Sequence, residues 1–310
     1  MKMYAAAVFT NNYMQGQRHH EQLTDNEKVL VNGVSHILES FHYIGKNKIP
    51  QQIRDSGRKI FLDSGAFSAF TKGLTITIEE YCEFIHYNRD IIYNDDGVYM
   101  IAGMDDIGDP LITYQNLKKM ESYGFNAIPC FHAGEDERYL EYYIENYSYI
   151  SLGGLVGTGV SQLKMWLDRV WSKYLIDENG KPKVKVHGFG ITSFDIMWMY
   201  PWYSVDSSTW IQAASFGMIM TAEYGNISVS AKSPSAKNFK QHFCNISQTE
   251  QQHLLDILIT KKGFDIERLS ESYQSRVAYN LAAYTDINNA ILKIQDNIDN
   301  HHIQQDIFKC

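Results

Sequence analysis

The sequence predicts an α/β fold: a (β/α)8 TIM barrel over residues 1–248, with a C-terminal helical extension over 249–310 packed on the barrel. Two observations predict the barrel. Short apolar runs typical of buried strands alternate with helical stripes across the first two thirds of the chain, and about seven such pairs follow at similar spacing. A chain of 310 residues is long enough for one such barrel. Beyond about residue 249 every pattern is helical, which predicts the extension.

Strands are predicted where apolar residues cluster without helical spacing. The apolar run at 1–9 is too short for a signal peptide, so it is interpreted as the first strand. Further strands are predicted at 59–62, 99–103, 127–131, 149–152, 184–186 and 203–205. The eighth strand is poorly marked, and 216–220 and 227–229 are the alternatives for it.

Helix starts are predicted from side chains that cap free backbone N–H groups. Capping boxes occur at Thr24-x-x-Glu27, Thr77-x-x-Glu80 and Ser247-x-x-Glu250. Asp109 before Pro110 supplies a cap and a first-turn proline, and Ser161 is expected to cap a later helix. Apolar positions from 30 onward follow the 3.6-residue period, which predicts that the first helix continues to Phe41.

Composition excludes several classes of protein. The net charge of -8 argues against a basic protein that coats nucleic acid, although it leaves room for a local basic groove. The four cysteines are scattered and fit no metal-binding spacing, so we expect a reducing compartment. No stretch approaches the roughly 20 apolar residues that span a bilayer. We therefore expect a soluble, cytoplasmic protein that does not associate with membranes.

Polar residues follow several predicted strands, and in a barrel the carboxyl ends of all strands open on one mouth. These residues are Asp63, Asp105 with Asp106, His132 with Glu135, Gly153 with Gly154, His187, and Asp206. Any one aspartate could be a helix cap. Several converging carboxylates instead favour a site for acid, base or nucleophilic chemistry. Glycine-rich turns at 64–65, 152–157 and 187–190 would let backbone approach a ligand, but none is a phosphate loop or a dinucleotide fingerprint.

Three motifs carry a resemblance to a known family: LDSGAF at 62–67, LGGL at 152–155 and SVDS at 204–207. In order and spacing they resemble the tRNA-guanine transglycosylases, (β/α)8 enzymes that exchange a guanine in nucleic acid for a 7-deazaguanine. The phage and bacterial branch that acts on DNA, the deoxypurine-in-DNA protein A type (queuine tRNA-ribosyltransferase-like), is more similar still. Its motifs match the runs at 105–110, 129–135, 187–192 and 204–210, so the resemblance covers about residues 61–210.

The resemblance implies a pentosyltransferase that works through a covalent glycosyl-enzyme. Asp206 would be the nucleophile at C1′, and Asp63 would be the general acid/base. Asp105, with Asp106 as the second choice, would accept hydrogen bonds from guanine N1–H and the 2-amino group. Further substrate contacts are expected from Ser64, Gly65, His132, Gly153, Gly154 and His187.

Two departures from the family pattern limit what the resemblance implies. The tRNA enzymes hold zinc with a C-x-C-x-x-C run and a distant histidine after the nucleophile. Only Cys244 and Cys310 follow Asp206 here, so we expect no metal and no other cofactor. The family signature DSGG-aromatic-Gln becomes DSGA at 63–66 followed by Phe67 and Ser68, which makes DNA the favoured substrate over tRNA.

The expected partners are nucleic acid and a free 7-deazaguanine base, and a homodimer or a partner protein is also open. The stretch 225–249 contains no Asp or Glu, and its lysines Lys232, Lys237 and Lys240 are predicted to contact the nucleic-acid backbone. A solvated surface is the alternative for them. If the chain is phage-encoded, the compartment would be the host cytoplasm.

Three other functions stay open from the sequence. One is the same exchange on tRNA. The second is a metal-dependent barrel hydrolase, with Asp63, His132, His187 and Asp206 as its ligands. The third is a non-catalytic paralogue that serves as a binding subunit, against which the presence of both Asp63 and Asp206 argues.

Overall fold

The computed structural model describes residues 1–106, 108–155, 159–191, 193–233 and 242–307, with side chains described except at 70, 259–260 and 295–307. By its internal contacts the chain divides into two units. The first comprises Met1–Thr10 and His36–Ser207, and the second comprises Asn11–Ser35 and Ser208–Cys310. The domain boundary expected after residue 248 stays a prediction.

The first unit is a mixed α/β structure around a curled half-barrel of seven parallel strands. The strands of the chain are β1 (Lys2–Ala6), β2 (Ile37–Ser40), β3 (Ile60–Asp63), β4 (Asn94–Asp95), β5 (Val98–Tyr99), β6 (Cys130–His132), β7 (Tyr149–Gly153), β8 (Lys185–Gly188), β9 (Ser204–Ser207), β10 (Met218–Thr221) and β11 (Gly225–Ser228). The order of strands in the half-barrel is β3-β2-β1-β9-β8-β7-β6. In the second unit β10 and β11 form an antiparallel hairpin, and in the first β4 and β5 form a separate antiparallel pair.

Helices separate most of the successive strands of the first unit, and helices make up most of the second. The helices are α1 (Asp25–Asn32), α2 (Phe41–Ile44), α3 (Ile49–Ser56), α4 (Ala66–Thr71), α5 (Ile78–Asn88), α6 (Pro110–Ser122), α7 (Glu137–Asn146), α8 (Val160–Val170), α9 (Phe194–Met199), α10 (Thr209–Ser215), α11 (Gln248–Leu255), α12 (Ile266–Glu271) and α13 (Tyr273–Ile307). Short 3-10 turns occur at His20–Gln22, Arg89–Ile91 and Phe243–Asn245, and π-helical ends at Trp171–Leu175 and Asp256–Lys261.

The α/β class predicted from the sequence is confirmed, but the described sheet has seven strands and is not a closed eight-stranded barrel. The two candidates for the eighth strand, at 216–220 and 227–229, are wrong. Their central residues pair with each other, because the turn at 222–224 folds the chain back into the β10–β11 hairpin, and Gly225 follows that turn with a φ of 67°. A short apolar run by itself does not reveal which strand it will pair with.

The segment from Met100 to Gly103 lies between the two edge strands of the sheet. Leu62 N–H donates to Met100 O at 2.9 Å, and Gly103 N–H donates at 2.8 Å to the carbonyl oxygen of Ile128, just before β6. These contacts form isolated bridges rather than a continuous ladder, so the segment does not form a regular strand. These contacts nevertheless place Asp105, two residues after Gly103, at the edge where β3 and β6 end.

Most of the predicted helix caps are confirmed. The Thr77 side chain accepts from the N–H of Glu80, and Asp109 accepts from two N–H groups in the first turn of α6. Ser161 is not a cap. Gly159 occupies the cap position of α8, so Ser161 lies inside the first turn.

The first helix is shorter than predicted. α1 ends at Asn32, with Gly33 as its C-cap. Ile37 and Leu38, expected to continue it, lie in strand β2 and pair with β1. Two adjacent apolar residues fit a helical stripe as well as a buried strand. The strand forms because β1 and β3 lie on either side and both hydrogen-bond to it.

The core of the first unit lies inside the curl of the sheet, where apolar side chains from successive strands meet. It contains Tyr4, Ala6, Leu38, Phe61, Met100, Ala102, Ile128 and Tyr149. The segment from Met100 to Gly103 therefore shares the core of the sheet as well as its hydrogen bonds.

In the second unit, the long helix α13 supports the hairpin through one buried amide. Asn280 donates to the carbonyl oxygens of Trp210 at 3.0 Å and Met218 at 3.2 Å, and its Oδ1 accepts from Met220 N–H at 2.8 Å. Asn280 is fully buried, so its amide cannot bond to water, and these three hydrogen bonds take the place of the bonds to water. Among the described residues, no helix combines the length and the apolar character needed to cross a lipid bilayer.

We predict a large stability loss for Glu27→Gln in the second unit. The Glu27 carboxylate is 3% exposed and accepts from Arg268 Nε at 2.9 Å and Nη2 at 2.8 Å, and from Ser275 Oγ at 2.6 Å. A neutral amide removes the charge that pairs with the guanidinium, which costs about 2–3 kcal/mol because Arg268 is 35% exposed and water solvates it in part. Urea unfolding measures this loss. The exposed capping-box variant Glu250→Gln is the control and should cost at most about 1 kcal/mol; an equal loss in both variants would contradict the prediction.

Candidate functional site

The candidate site lies at the carboxyl edge of the parallel sheet. Asp63 is the last residue of β3, His132 the last of β6 and Gly153 the last of β7. His187 and Asp206 are the third residues of β8 and β9. Because all strands of this sheet run in the same direction, these side chains are carried to one edge.

Asp63 is a carboxyl group whose ionisation the fold opposes. Its pKa is raised to about 7, first by burial and then by the negative charges of Asp105 and Asp206. The N–H of Gly65 donates to Asp63 Oδ2 at 3.1 Å and offsets part of that rise. Asp63, Asp105 and Asp206 are therefore close enough to act on one another, and near neutral pH a large fraction of Asp63 carries a proton.

Asp206 is buried and is held by two groups. Its Oδ1 receives the Gly190 N–H at 3.0 Å and lies 3.2 Å from His187 Nε2. Neither contact goes to Oδ2. The carboxylate is thus fixed by one oxygen, and the other oxygen takes no part in these two contacts.

A chain of hydrogen bonds runs behind Asp206 into the core. The Ser204 hydroxyl lies 2.5 Å from the Tyr149 hydroxyl and 2.5 Å from His187 Nδ1. Burial raises the pKa of Tyr149, which keeps its hydroxyl protonated. With Tyr149 as the first donor, Ser204 donates to His187 Nδ1, and the Nε2–H of His187 donates to Asp206.

His187 is fully buried, and aromatic ring edges enclose its imidazole. The rings are those of Tyr4, Phe61 and Phe189, with centroids 4.6 to 6.1 Å from that of His187. The structure therefore places His187 against Asp206, with both ring nitrogens engaged. A direct contact with substrate, expected from the sequence, stays a prediction.

A second cluster surrounds His132. Its Nε2 lies 3.3 Å from Asp105 Oδ2 and 3.6 Å from Cys130 Sγ, and its Nδ1 lies 3.0 Å from Glu135 Oε1. The pKa of His132 is raised, by the Cys130 sulfur and by hydrogen bonds to Asp105 and Glu135, against the opposing effect of burial. Burial raises the pKa of the Cys130 thiol to about 11.

Asp105 and Asp106 differ in their surroundings. Asp105 Oδ1 is buried and has no hydrogen-bond partner among the described residues. The backbone of Asp106 exchanges hydrogen bonds with the Thr113 hydroxyl, at 2.9 and 3.2 Å, in the turn before α6. An unpaired buried acceptor is the feature expected of a ligand-binding carboxylate, so the geometry favours Asp105.

The predicted glycines and Ser64 surround the same edge. At Gly65, with a φ of 80°, an added Cβ would come within 2.5 Å of the Cβ of His42. At Gly153 it would come within 2.6 Å of His132 Cδ2, while Gly154 has a φ of 71°. Ser64 is buried and accepts the Ala66 N–H at 3.3 Å, so it shapes the turn after β3. Each glycine therefore occupies a position that a larger residue would disturb.

Sequence reasoning missed two residues at this edge. It gave no role to Cys130, although the Cys-Phe-His order of β6 puts Cys130 and His132 on the same face of the strand. It also overlooked Glu39 in β2, which accepts from the Phe9 N–H and the Thr10 hydroxyl, both at 2.6 Å. Burial raises the pKa of Glu39 to about 7. A glutamate inside an apolar run was the available signal.

The lysines predicted to contact the nucleic-acid backbone belong to the second unit. Lys232 is exposed in the second unit, and Lys237 and Lys240 fall outside the described residues. A cavity of about 450 Å³ lies at the opposite, amino ends of the strands. Arg89, Tyr99, Lys118 and Tyr149 are among the residues that line it.

No protein-family model matches this chain, and no curated protein matches it.

Proposed function

We propose that the protein is a guanine transglycosylase, a pentosyltransferase that exchanges a guanine in nucleic acid, with DNA favoured, for a 7-deazaguanine. The pairing of Asp63 with Asp206 carries this proposal. One carboxyl group has a pKa raised to about 7, and the other is fixed by an N–H donor and an imidazole at the same edge of the sheet. Two carboxyl groups in unlike environments are what a double displacement at a sugar carbon requires.

In the first step Asp206 attacks C1′ of the nucleotide. The bond from C1′ to the carboxylate oxygen forms as the bond from C1′ to the guanine nitrogen breaks, and protonated Asp63 gives its proton to the leaving base. In the second step Asp63 takes a proton from the incoming 7-deazaguanine, whose nitrogen attacks C1′ and releases Asp206. Atoms, charge and the anomeric configuration balance over the two steps.

Asp105 supplies the base selectivity in this proposal. Its buried Oδ1, unpaired among the described residues, suits the N1–H and 2-amino donors of guanine. Adenine lacks that pair of donors, so the carboxylate would stay buried and unpaired with adenine, at a cost of about 1–3 kcal/mol or more. Backbone N–H groups at Gly153 and Gly154 would hold the carbonyl oxygen of the base.

We also propose that the half-barrel closes into a (β/α)8 barrel. The segment from Met100 to Gly103 would act as the eighth strand, since it bridges β3 and the residues before β6 and shares the core of the sheet. The resemblance in the motifs at 62–67, 152–155 and 204–207 supports the same fold.

Nucleoside mass spectrometry tests the function. Duplex DNA, single-stranded DNA and tRNA are each incubated with the purified protein and a 7-deazaguanine base, digested and analysed. Incorporation into DNA supports the proposal, and incorporation into tRNA alone moves the function to the tRNA enzymes. Release of guanine without incorporation would refute base exchange. Preference for single-stranded over duplex DNA is expected because unpairing the base costs a few kcal/mol.

We predict that Lys232, Lys237 and Lys240, replaced together by Glu, weaken DNA binding and flatten its salt dependence. Three lost phosphate contacts reduce the slope of log K against log salt by about 2–3. Binding is measured by fluorescence anisotropy across a salt series.

The matched control replaces three other lysines that are exposed in the first unit, Lys164, Lys181 and Lys183, by Glu. This variant has the same net charge, so it separates a local phosphate contact from general repulsion. The same slope in both variants would assign the lysines at 232–240 to a solvated surface.

A metal-dependent hydrolase is the second candidate function. The cluster of Asp105, Cys130 and His132 favours it, because one ligand atom from each lies within 4.8 Å of the other two. The ligand set expected from the sequence is different, and it included His187, whose two nitrogens engage Ser204 and Asp206. Hydrolysis of a substrate by the metal-loaded protein, with no base exchange, would favour this candidate.

A further inference from the structure

We infer that Asp105, Cys130 and His132 form a metal site, of the kind that takes zinc, with one coordination position left open. The metal site goes beyond the proposed function and does not depend on it. The three side chains present a carboxylate oxygen, a thiol sulfur and an imidazole nitrogen to one point, with all three atoms within 4.8 Å of one another.

Two of the three separations match those of a zinc tetrahedron, and the third, from Cys130 to Asp105, is within 4.8 Å. Zinc bonds of about 2.3 Å to sulfur and about 2.0–2.2 Å to nitrogen and oxygen place S and N about 3.6 Å apart, and N and O about 3.4 Å apart, at tetrahedral angles. The observed separations are 3.6 Å from Cys130 Sγ to His132 Nε2 and 3.3 Å from His132 Nε2 to Asp105 Oδ2. Little movement of the side chains would be needed to receive the ion, and the ion would displace the protons of the Cys130 thiol and of His132 Nε2 into solvent.

Adjacent elements of the fold build this arrangement. Cys130 and His132 alternate along β6 and so face the same way, and Asp105 follows the segment that bridges to residue 128, just before β6. On the other side, β7 ends at Gly153, where an added Cβ would come within 2.8 Å of Cys130 Sγ and 2.6 Å of His132 Cδ2. The missing side chain of Gly153 leaves the room that the cluster occupies.

Glu135 completes the site as an outer partner. It accepts from the backbone N–H of His132 at 2.9 Å and lies 3.0 Å from Nδ1, which leaves Nε2 to point at Asp105 and Cys130. A carboxylate behind the ligating histidine is the usual way that proteins orient a zinc-bound imidazole. A mixed sulfur, nitrogen and oxygen set favours zinc over magnesium or calcium, which prefer oxygen.

Three protein ligands leave the fourth position of a zinc tetrahedron for water or for a heteroatom of a bound molecule. The side chains of Asp105 and His132 are each 15% exposed, so solvent reaches two of the three ligand residues. Asp105 would use Oδ2 as its ligand atom, and Oδ1 would stay available as an acceptor. Metal binding and recognition of a base by Asp105 are therefore compatible.

Cobalt substitution and metal analysis test the site. The purified protein is stripped with a chelator, reloaded with Zn²⁺ or Co²⁺ and dialysed. We expect one ion per chain, and for Co²⁺ a visible ligand-field band and a near-ultraviolet thiolate charge-transfer band. Cys130→Ser should remove the charge-transfer band and weaken binding at least 100-fold, and Glu135→Gln should weaken it about 10–100-fold. Cys82→Ser and Cys244→Ser, which change cysteines elsewhere, are the matched controls.

X-ray absorption on the zinc-loaded wild-type protein covers the case in which Cys130→Ser does not fold. One sulfur at about 2.3 Å with nitrogen and oxygen neighbours supports the site. Wild-type protein that retains no ion, a coordination shell without sulfur, or a charge-transfer band that persists in folded Cys130→Ser overturns it. Base exchange is assayed separately with stripped and loaded protein. Metal binding without exchange refutes the proposed function alone, and exchange without metal binding refutes the metal site alone.

Discussion

Asp206→Asn is expected to lower base exchange by about 10⁴-fold or more and to abolish the covalent intermediate. Asparagine keeps the shape of the side chain, and its carbonyl oxygen can still accept the N–H of Gly190. An amide does not displace a base from C1′, so the attacking group alone is lost. Exchange is measured as incorporation of a labelled base. The intermediate is detected as a protein–nucleic acid adduct on a denaturing gel, with a substrate that lets the glycosyl-enzyme accumulate.

The control for this prediction is Asp195→Asn, which changes an exposed aspartate in the first turn of α9. It has the same change of charge and should exchange bases like the wild type. An Asp206→Asn protein that keeps wild-type turnover would remove Asp206 as the nucleophile. An adduct that persists in this variant would point to another attacking residue.

The parts of the fold that local chemistry determines were predictable from the sequence. Thr77 and Asp109 begin helices as expected, because a side-chain oxygen satisfies N–H groups a few residues away. Strand β2 was not predictable, because Ile37 and Leu38 fit a helical stripe as well as a strand until β1 and β3 flank them. The segment from Met100 to Gly103 shows the same limit, since its partners lie far away in sequence.

For the candidate site, the positions of the main residues were predictable from the sequence. The carboxyl ends of parallel strands meet, so placing Asp63 and Asp206 after predicted strands was enough to expect them at one edge. Their individual environments were not predictable. The orientation of His187 toward Asp206 depends on Ser204 and Tyr149. The approach of Asp105 to Cys130 and His132 depends on pairing between distant segments.

Asp63→Asn is expected to lower base exchange by about 10²–10⁴-fold while the protein becomes more stable at neutral pH. The activity falls because asparagine can neither give a proton to the leaving base nor take one from the incoming base. The wild-type rate should depend on an ionisation near pH 7, where Asp63 changes its charge, and the variant should lose that dependence. Rates are measured across a pH series for both proteins.

The stability gain follows from the direction of the pKa shift. The pKa of Asp63 rises from 3.8 to about 7 on folding, so the native protein binds more protons than the unfolded chain between those values. The wild type therefore loses stability as the pH rises through this window. The full shift in pKa corresponds to at most about 4 kcal/mol. We expect a loss of about 2 kcal/mol, because solvent reaches this carboxyl group and reduces the effect. Asparagine has no charge to bury, so urea unfolding should show little difference between the two proteins at about pH 4 and a more stable variant at about pH 8. A difference in unfolding free energy that does not change with pH would mean that Asp63 ionises as freely in the folded protein as in the unfolded chain, and Asp63 would then lose its place as the proton donor.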